Sequence, residues 1–402
     1  MKHDERVIVA GAGPVGLMAA LALARQGVPV TVLEAEPSLT IDLRAGSFHP
    51  PTLEMMTPFG ITARMHETGI RVRRWQIRDR RDGTVVEFDL DLLRNDTPYP
   101  YRLHLEQHRL TPIILDILRK EPMAEIRFSV RVVDLEQDAD QVRVQVECDG
   151  VRETLACRWL IGADGGRSTV RKAADIEFEG FTWPERFLVV STPYDLEAHG
   201  YAFNCYVADP DEWVALFKVP DDGPPGLWRL VFPTDPAAPD ESLLDSQAIE
   251  ARLQAFLART ERYSIKYKSF YRVHQRVAKD FRRGRVLLAG DAAHVNNPLG
   301  AFGLNSGIHD AVSLGEKLAR VWRGEAPVDL LDLYVRQRRT VTVENIQAQS
   351  IQNKRTLEER DPTVRRQRIA ELQHIARTPE LAYPFLLKSS MIASIRRANS
   401  VT

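Results

Sequence analysis

Apolar positions recur along this chain in three different rhythms. The first is a continuous run, "VIVAGAGPVGLMAALALA" at residues 7–24, with no charge over 18 positions. That is close to a membrane-span length. Gly and Pro cluster in its middle, however, and the preceding "MKHDER" mixes acids with bases, unlike an export signal. The pattern predicts a buried strand, a tight turn and a buried helix, with no targeting or transmembrane segment. The second rhythm is helical: Leu110, Ile113, Ile114, Ile117 and Leu118 fall on one face. The third is alternation, as in "QVRVQVECDG", which predicts a strand.

Between residues 176 and 280 the runs "GYAFNCYVADP", "EWVALFKVP" and "GLWRLVFPTD" read as strands separated by Pro, Asp and Gly turns. "RRWQIRDRRDGTVVEFDL" predicts two more around a turn at Asp82-Gly83. The tail from Thr356 is charged and helical in pattern. Its Arg365, Arg366 and Arg368 are expected on a solvated helix face rather than in an anion or partner site. Trp213 and Trp228 are expected in sheet core.

Composition narrows the class. With 44% hydrophobic and 27% charged residues, 402 residues suit an ordinary globular protein of two subdomains. A formal charge of −1 gives no general attraction to nucleic acid. Cys148, Cys157 and Cys205 are scattered with no CxxC, which fits a reducing, cytoplasmic setting and argues against a disulfide framework or a zinc site. No metal-ligand cluster or Ser-His-Asp signature appears.

The first rhythm also carries chemistry. Val7-Ile8-Val9 leads into Gly11-x-Gly13-x-x-Gly16 and a helix opened by Pro14 and Val15. Such glycines allow a tight turn, close approach of backbone to a pyrophosphate, and close helix–strand packing. A second strand, "VPVTVLEAEP", ends in Glu34, 23 residues beyond Gly11, where an acid accepts hydrogen bonds from an unphosphorylated adenosine ribose, as in FAD or NAD.

Two later stretches favour FAD. "WLIGADGGRSTVR" brings Asp164-Gly165-Gly166 to a strand end, with Ser168 placed to cap a helix. "GRVLLAGDAAHVNNPLGAFGLNSG" places Asp291 after an apolar run and then exposes Gly-rich backbone before a helix. In this order and spacing, the three motifs resemble the FAD-dependent aromatic hydroxylases, single-component flavoprotein monooxygenases of the para-hydroxybenzoate hydroxylase type. The resemblance spans nearly the whole chain.

It implies an α/β fold: a Rossmann-like FAD-binding domain (1–75, 101–175 and 281–355), an inserted antiparallel β-sheet substrate domain (76–100 and 176–280), and a C-terminal helical segment (356–402). It also implies roles. Asp291 would bond the ribityl chain. Pro298, Gly300 and Ala301 would form the loop beside the flavin ring, and Gly303, Leu304 and Asn305 would offer backbone N–H groups to its pyrimidine edge. Arg44, Gln107 and Val132 would contact the cofactor. The implied reaction uses NAD(P)H and O2 to hydroxylate a phenolic or related aromatic small molecule through a flavin C4a-hydroperoxide. Relatives often carry Gly-Gly-Gln where this chain has Gly300-Ala301-Phe302, a change that bears on the cavity beside the ring.

Position makes Tyr206, Arg229 and Pro298 the candidate substrate contacts and His49 the candidate catalytic group; His294 reads as structural. A halogenase of this fold needs a WxWxIP motif that is missing here. A reductase or epoxidase of the same fold, or a non-catalytic FAD-binding protein, remains the alternative. Substrate-stimulated NAD(P)H oxidation separates an enzyme from a non-catalytic binder.

Overall fold

The computed structural model describes residues 5–41, 46–83 and 85–402. The uncharged run splits into the strand Val7–Ala10 and the helix Pro14–Ala24, which are too short to cross a membrane. Among the described residues no helix is long and apolar enough to do so.

Val7–Ala10 sits inside a six-stranded sheet. Its order is Arg282–Arg283, Val286–Leu288, Trp159–Gly162, Val7–Ala10, Val30–Leu33, Ala124–Arg127. All pairs are parallel except the one at the Arg282–Arg283 edge. Parallel strands buried on both faces read as continuous apolar runs, and that is why the first rhythm shows no alternation. The helix Pro14–Ala24 packs against Gly303–Trp322, where a Cβ on Gly315 would come within 2.6 Å of Ala22 Cβ. Only a bare backbone lets the two helices close on each other.

A second sheet has eight strands: His294–Val295, Tyr267–Ala278, Phe178–Thr192, Leu227–Pro233, Val214–Val219, Asn204–Ala208, Arg74–Asp79 and Val85–Asp89. Its pairing is antiparallel except at one junction, where Asn204–Ala208 runs parallel to Arg74–Asp79. That junction joins the early hairpin to the later strands, so Trp75, Ile77 and Tyr206 meet on one face. Trp213 and Trp228 are buried in its core.

The end of the chain forms the helices Ala348–Leu357, Pro362–Arg377, Pro379–Ser389 and Ile392–Asn399. The expectation of a solvated arginine face fails here. Arg365 is buried against Asp79, with Nη2 2.6 Å from Oδ2, because the Asp79 carboxylate is itself buried; the cation and the backbone N–H groups of Arg81 and Asp82 together offset its lost solvation. Arg368 reaches a cavity wall, and Arg366 alone of the three is exposed.

Candidate active site

The glycine loop at the end of Val7–Ala10 is shaped by close approach. Gly11 adopts φ +101°, and a Cβ there would lie 2.5 Å from Ala163 O. A Cβ on Gly16 would lie 2.0 Å from Gly11 O. At Gly13 a Cβ would meet nothing within 4 Å. Gly11 and Gly16 therefore serve the fold, and Gly13 keeps open the space in front of a helix N-terminus. That helix has no side-chain cap and no acid in its first turn, so its leading N–H groups are left for an anion. Glu34 accepts from Ala12 N at 2.7 Å and from Glu36 N at 3.0 Å, which fixes its carboxylate beside the loop. Val15 packs against Gly290 and Gly307, tying this loop to the second one.

The second loop follows Val286–Leu288. Asp291 is exposed just after Gly290, whose N–H donates to Asp310 Oδ2 at 3.1 Å. Asp310 is fully buried and also accepts from His294 Nε2 at 2.7 Å and Arg338 Nε at 2.6 Å. Burial alone would raise the Asp310 pKa, but Arg338 and His294 outweigh it and bring it down to about 2. The loop continues through Pro298, Gly300 at φ +110° and Ala301 at φ +59° into the helix Gly303–Trp322. Gly303, Leu304 and Asn305 stand in its first turn, where N–H groups have no partner within the helix. The Asn305 side chain clamps the approach: Oδ1 accepts from His49 N at 2.9 Å, and Nδ2 donates to Ser47 O and Ala301 O. The two loops thus offer backbone donors and one exposed carboxylate, a donor set that fits a dinucleotide carrying hydroxyls and an electron-accepting ring.

Beside Gly300 lies a cavity of about 320 Å³. Trp75, Ile77, Phe302, Leu357, Leu372 and Phe385 give it apolar walls, and Arg102 and Tyr206 lie at its inner end. Arg102 is 2% exposed. It donates to Asn204 Oδ1, reaches Ser389 O at 3.4 Å and stacks 5.0 Å over the Trp75 ring. Among the described residues no carboxylate pairs with it. Burial lowers its pKa, and contact with the Tyr206 hydroxyl works the other way. Tyr206 Oη in turn accepts from Gly300 N at 3.2 Å.

A family model described as "FAD binding domain" matches residues 4–349. Para-nitrophenol 4-monooxygenase of Pseudomonas sp. (strain WBC-3) is 36% identical over 91% of this chain and 90% of its own. The 6-hydroxy-3-succinoylpyridine 3-monooxygenase of Pseudomonas putida is 34% identical over 90% of this chain and 91% of its own. The crystal structure of p-nitrophenol 4-monooxygenase from Pseudomonas putida DLL-E4 superposes with a TM-score of 0.91 at 34% identity, covering 98% of both chains. This chain belongs to the FAD-dependent aromatic hydroxylases. It is a flavoprotein monooxygenase whose substrate is a small aromatic molecule.

For such a hydroxylase, the residues singled out by sequence fall into distinct places. Tyr206 lines the cavity. Arg229 does not: it is buried on the same sheet face, its guanidinium 5.8 Å from the Phe217 ring and close to Gly46. His49 lies behind the wall rather than in it. Its Nε2–H donates to Gly300 O at 2.8 Å and its ring stacks on Phe302. Burial and nearby Arg102 hold its pKa well below the ordinary histidine value, so it is neutral.

Asp164 accepts from Ser168 Oγ and from the N–H groups of Thr169 and Val170, a capping use the sequence did not suggest. Gln107 opens the helix Gln107–Leu118, and Val132 is buried on the strand Val130–Gln137. Arg44 lies outside the described residues. Arg102, Phe385 and Arg368 were missed as cavity residues. Only Arg102 left a trace in the sequence: a charge inside the apolar strand "YRLHL".

Proposed function

We propose that this enzyme hydroxylates electron-poor phenols, bound as phenolates, and that Arg102 is the group that selects them. The observation behind this reading is a buried guanidinium on the cavity wall whose partners among the described residues are neutral. A buried charge without a counter-ion is costly, and a bound anion relieves that cost. A simple phenol ionises near pH 10. Electron-withdrawing substituents bring that value toward neutrality, so an electron-poor phenol can supply the anion at little cost. The names of the nitrophenol and succinoylpyridine relatives agree with this class.

Bound FAD, reduced by NAD(P)H, supplies the activation of O2. The remaining work belongs to this chain. Arg102 holds the phenolate oxygen, and Tyr206 donates its O–H to the same oxygen while accepting from Gly300 N. Trp75, Phe302 and Phe385 exclude water and fix the ring plane. His49 and Asn305 hold the loop Pro298–Phe302 in place; in this reading His49 is a positioning residue and not a base.

In the same reading Gly11, Gly13, Pro14, Val15, Gly16 and Glu34 serve the adenosine and pyrophosphate end, and Asp291 the ribityl chain. The division into FAD and substrate domains is supported by the two large sheets. His294–Val295 joins the second sheet, and the helix Ala348–Leu357 crosses the proposed boundary before the C-terminal segment. The free cysteines agree with work in the reducing cytoplasm.

A panel of phenols, hydroxybenzoates and hydroxypyridines, scored for coupled NAD(P)H loss and a mass gain of one oxygen, tests the reaction. Arg102→Met tests the selection. Losing a charge-assisted hydrogen bond costs about 1.5–3 kcal/mol, roughly a ten- to hundredfold loss of phenolate affinity. Unchanged affinity, with FAD still bound, would remove Arg102 from the site.

A further inference from the structure

The cavity has a second polar end, and the strand Arg74–Asp79 gives its distance from the first. Trp75, Ile77 and Asp79 alternate onto one face, and at about 3.3 Å per residue the row from Trp75 to Asp79 spans roughly 13 Å. Arg102 stacks on Trp75 at one end of that row. At the other end Asp79 holds Arg365, one helical turn before Arg368. The helix Pro362–Arg377 then returns along the row, because Ile375 falls in the same apolar cluster as Trp75 and Phe385. Arg102 and Arg368 therefore line one cavity from its two ends.

The two arginines differ in charge balance. Arg102 has neutral partners, whereas Arg368 Nη1 lies 3.2 Å from Glu359 Oε2 and donates to Arg355 O at 3.2 Å. Glu371, on the same helix, stands at the rim of the same cavity. The far end thus offers N–H donors with no net positive charge. Gln352 and Thr356 add polar atoms there.

We propose that Arg368 forms a second subsite that takes an uncharged hydrogen-bond acceptor, such as a nitro, acyl or amide group, opposite the phenolic oxygen. A carboxylate in that position is rejected, since Glu359 and Glu371 already supply the negative charge. This rests on the reading of Arg102 as the phenolate site and extends it to the other end of the ring.

The test is calorimetric titration of the FAD-loaded protein with phenol, 4-nitrophenol, 4-hydroxyacetophenone and 4-hydroxybenzoate. The wild type should bind the nitro and acetyl compounds more tightly than the carboxylate. Arg368→Met should weaken 4-nitrophenol at least tenfold more than it weakens phenol. Glu371→Gln, at an exposed position that the fold tolerates, should strengthen 4-hydroxybenzoate several-fold. Equal losses for phenol and 4-nitrophenol, or a Glu371→Gln protein that still rejects 4-hydroxybenzoate as before, would overturn the subsite. If instead Arg102→Met leaves every ligand unaffected, the phenolate reading itself fails. The two failures are separable because each variant changes one end of the ring.

Discussion

At the nucleotide end of this enzyme the chain offers mostly backbone. Gly11, Gly13 and Gly16 clear space beside a helix N-terminus and one carboxylate. At the cavity end the chain offers side chains: Trp75, Arg102, Tyr206, Phe302, Arg368 and Phe385, drawn from six separate stretches of sequence. The first kind of site requires glycine at fixed spacing, because a Cβ at Gly11 or Gly16 would meet backbone 2.5 Å and 2.0 Å away, while Gly13 leaves space open. The second kind requires only that diverse residues converge, and it tolerates many solutions.

The sharpest way to break this contrast is at the glycines. Gly16→Ala should abolish FAD binding and destabilise the first βα unit by several kcal/mol, since its Cβ meets Gly11 O at 2.0 Å and backbone cannot yield cheaply. Gly13→Ala should leave the melting temperature of the apoprotein unchanged, because nothing lies within 4 Å, yet still weaken FAD. Thermal melts and flavin fluorescence titrations on the two variants distinguish space kept for the fold from space kept for the ligand. If Gly13→Ala binds FAD normally, the open space at that position does not belong to the cofactor.

The cavity end has its own sensitivity, which is to acid. His104 is buried, donates its Nδ1–H to Lys218 O at 2.8 Å, and is pushed down to about 4, first by burial and then by the Arg102 charge. Its folded pKa lies below its unfolded value near 6.5, so its neutral form is the one the fold favours. The stability it contributes is complete above pH 6.5 and is lost as pH falls from there toward 4, by about 3 kcal/mol in all. His49 shifts in the same direction. Urea unfolding at pH 7.5 and pH 4.5 should show this loss, and His104→Gln should flatten it. Asp310, held down at about 2, acts only at more acid pH: its contribution is present above its unfolded value near 4 and is lost below that. The two windows are therefore distinguishable.

How much of this was legible in the sequence follows the same division. The glycine loop, Glu34, the helix Gly303–Trp322 and the strands of residues 204–233 were predicted from pattern, because local spacing dictates them. The parallel junction between Arg74–Asp79 and Asn204–Ala208 was not, since no local signal pairs strands about 130 positions apart. That junction puts Trp75 beside Tyr206. Arg365 and Arg368 misled for a related reason: a charged helix looks solvated until its counter-charge, Asp79, is known to lie beneath it. His49 was read as the candidate catalytic group, but its ring is buried behind Phe302 with Nε2–H on Gly300 O.

One hydrogen bond between the two ends gives the smallest and most informative test. Tyr206 comes from the substrate sheet, and its Oη accepts from the Gly300 N–H of the flavin loop at 3.2 Å. Tyr206→Phe keeps the ring and removes only the hydroxyl, so the cost to stability should be about 1 kcal/mol. FAD should remain bound, because the glycine loop and Asp291 are untouched. Substrate affinity should fall only a few-fold, since Arg102 still holds the phenolate. The visible damage should be in coupling. Gly300 loses one of its two anchors and keeps only His49 on its carbonyl, and the ring loses a donor that fixes its angle. Small misplacement can cost about a hundredfold in productive chemistry. Peroxide release measured against product formed, on Tyr206→Phe and His49→Gln side by side, resolves the two anchors. If the sheet and the loop are independent, only His49→Gln uncouples the reaction. If Tyr206 joins them, both variants do, and Tyr206→Phe alone also changes the affinity for phenols.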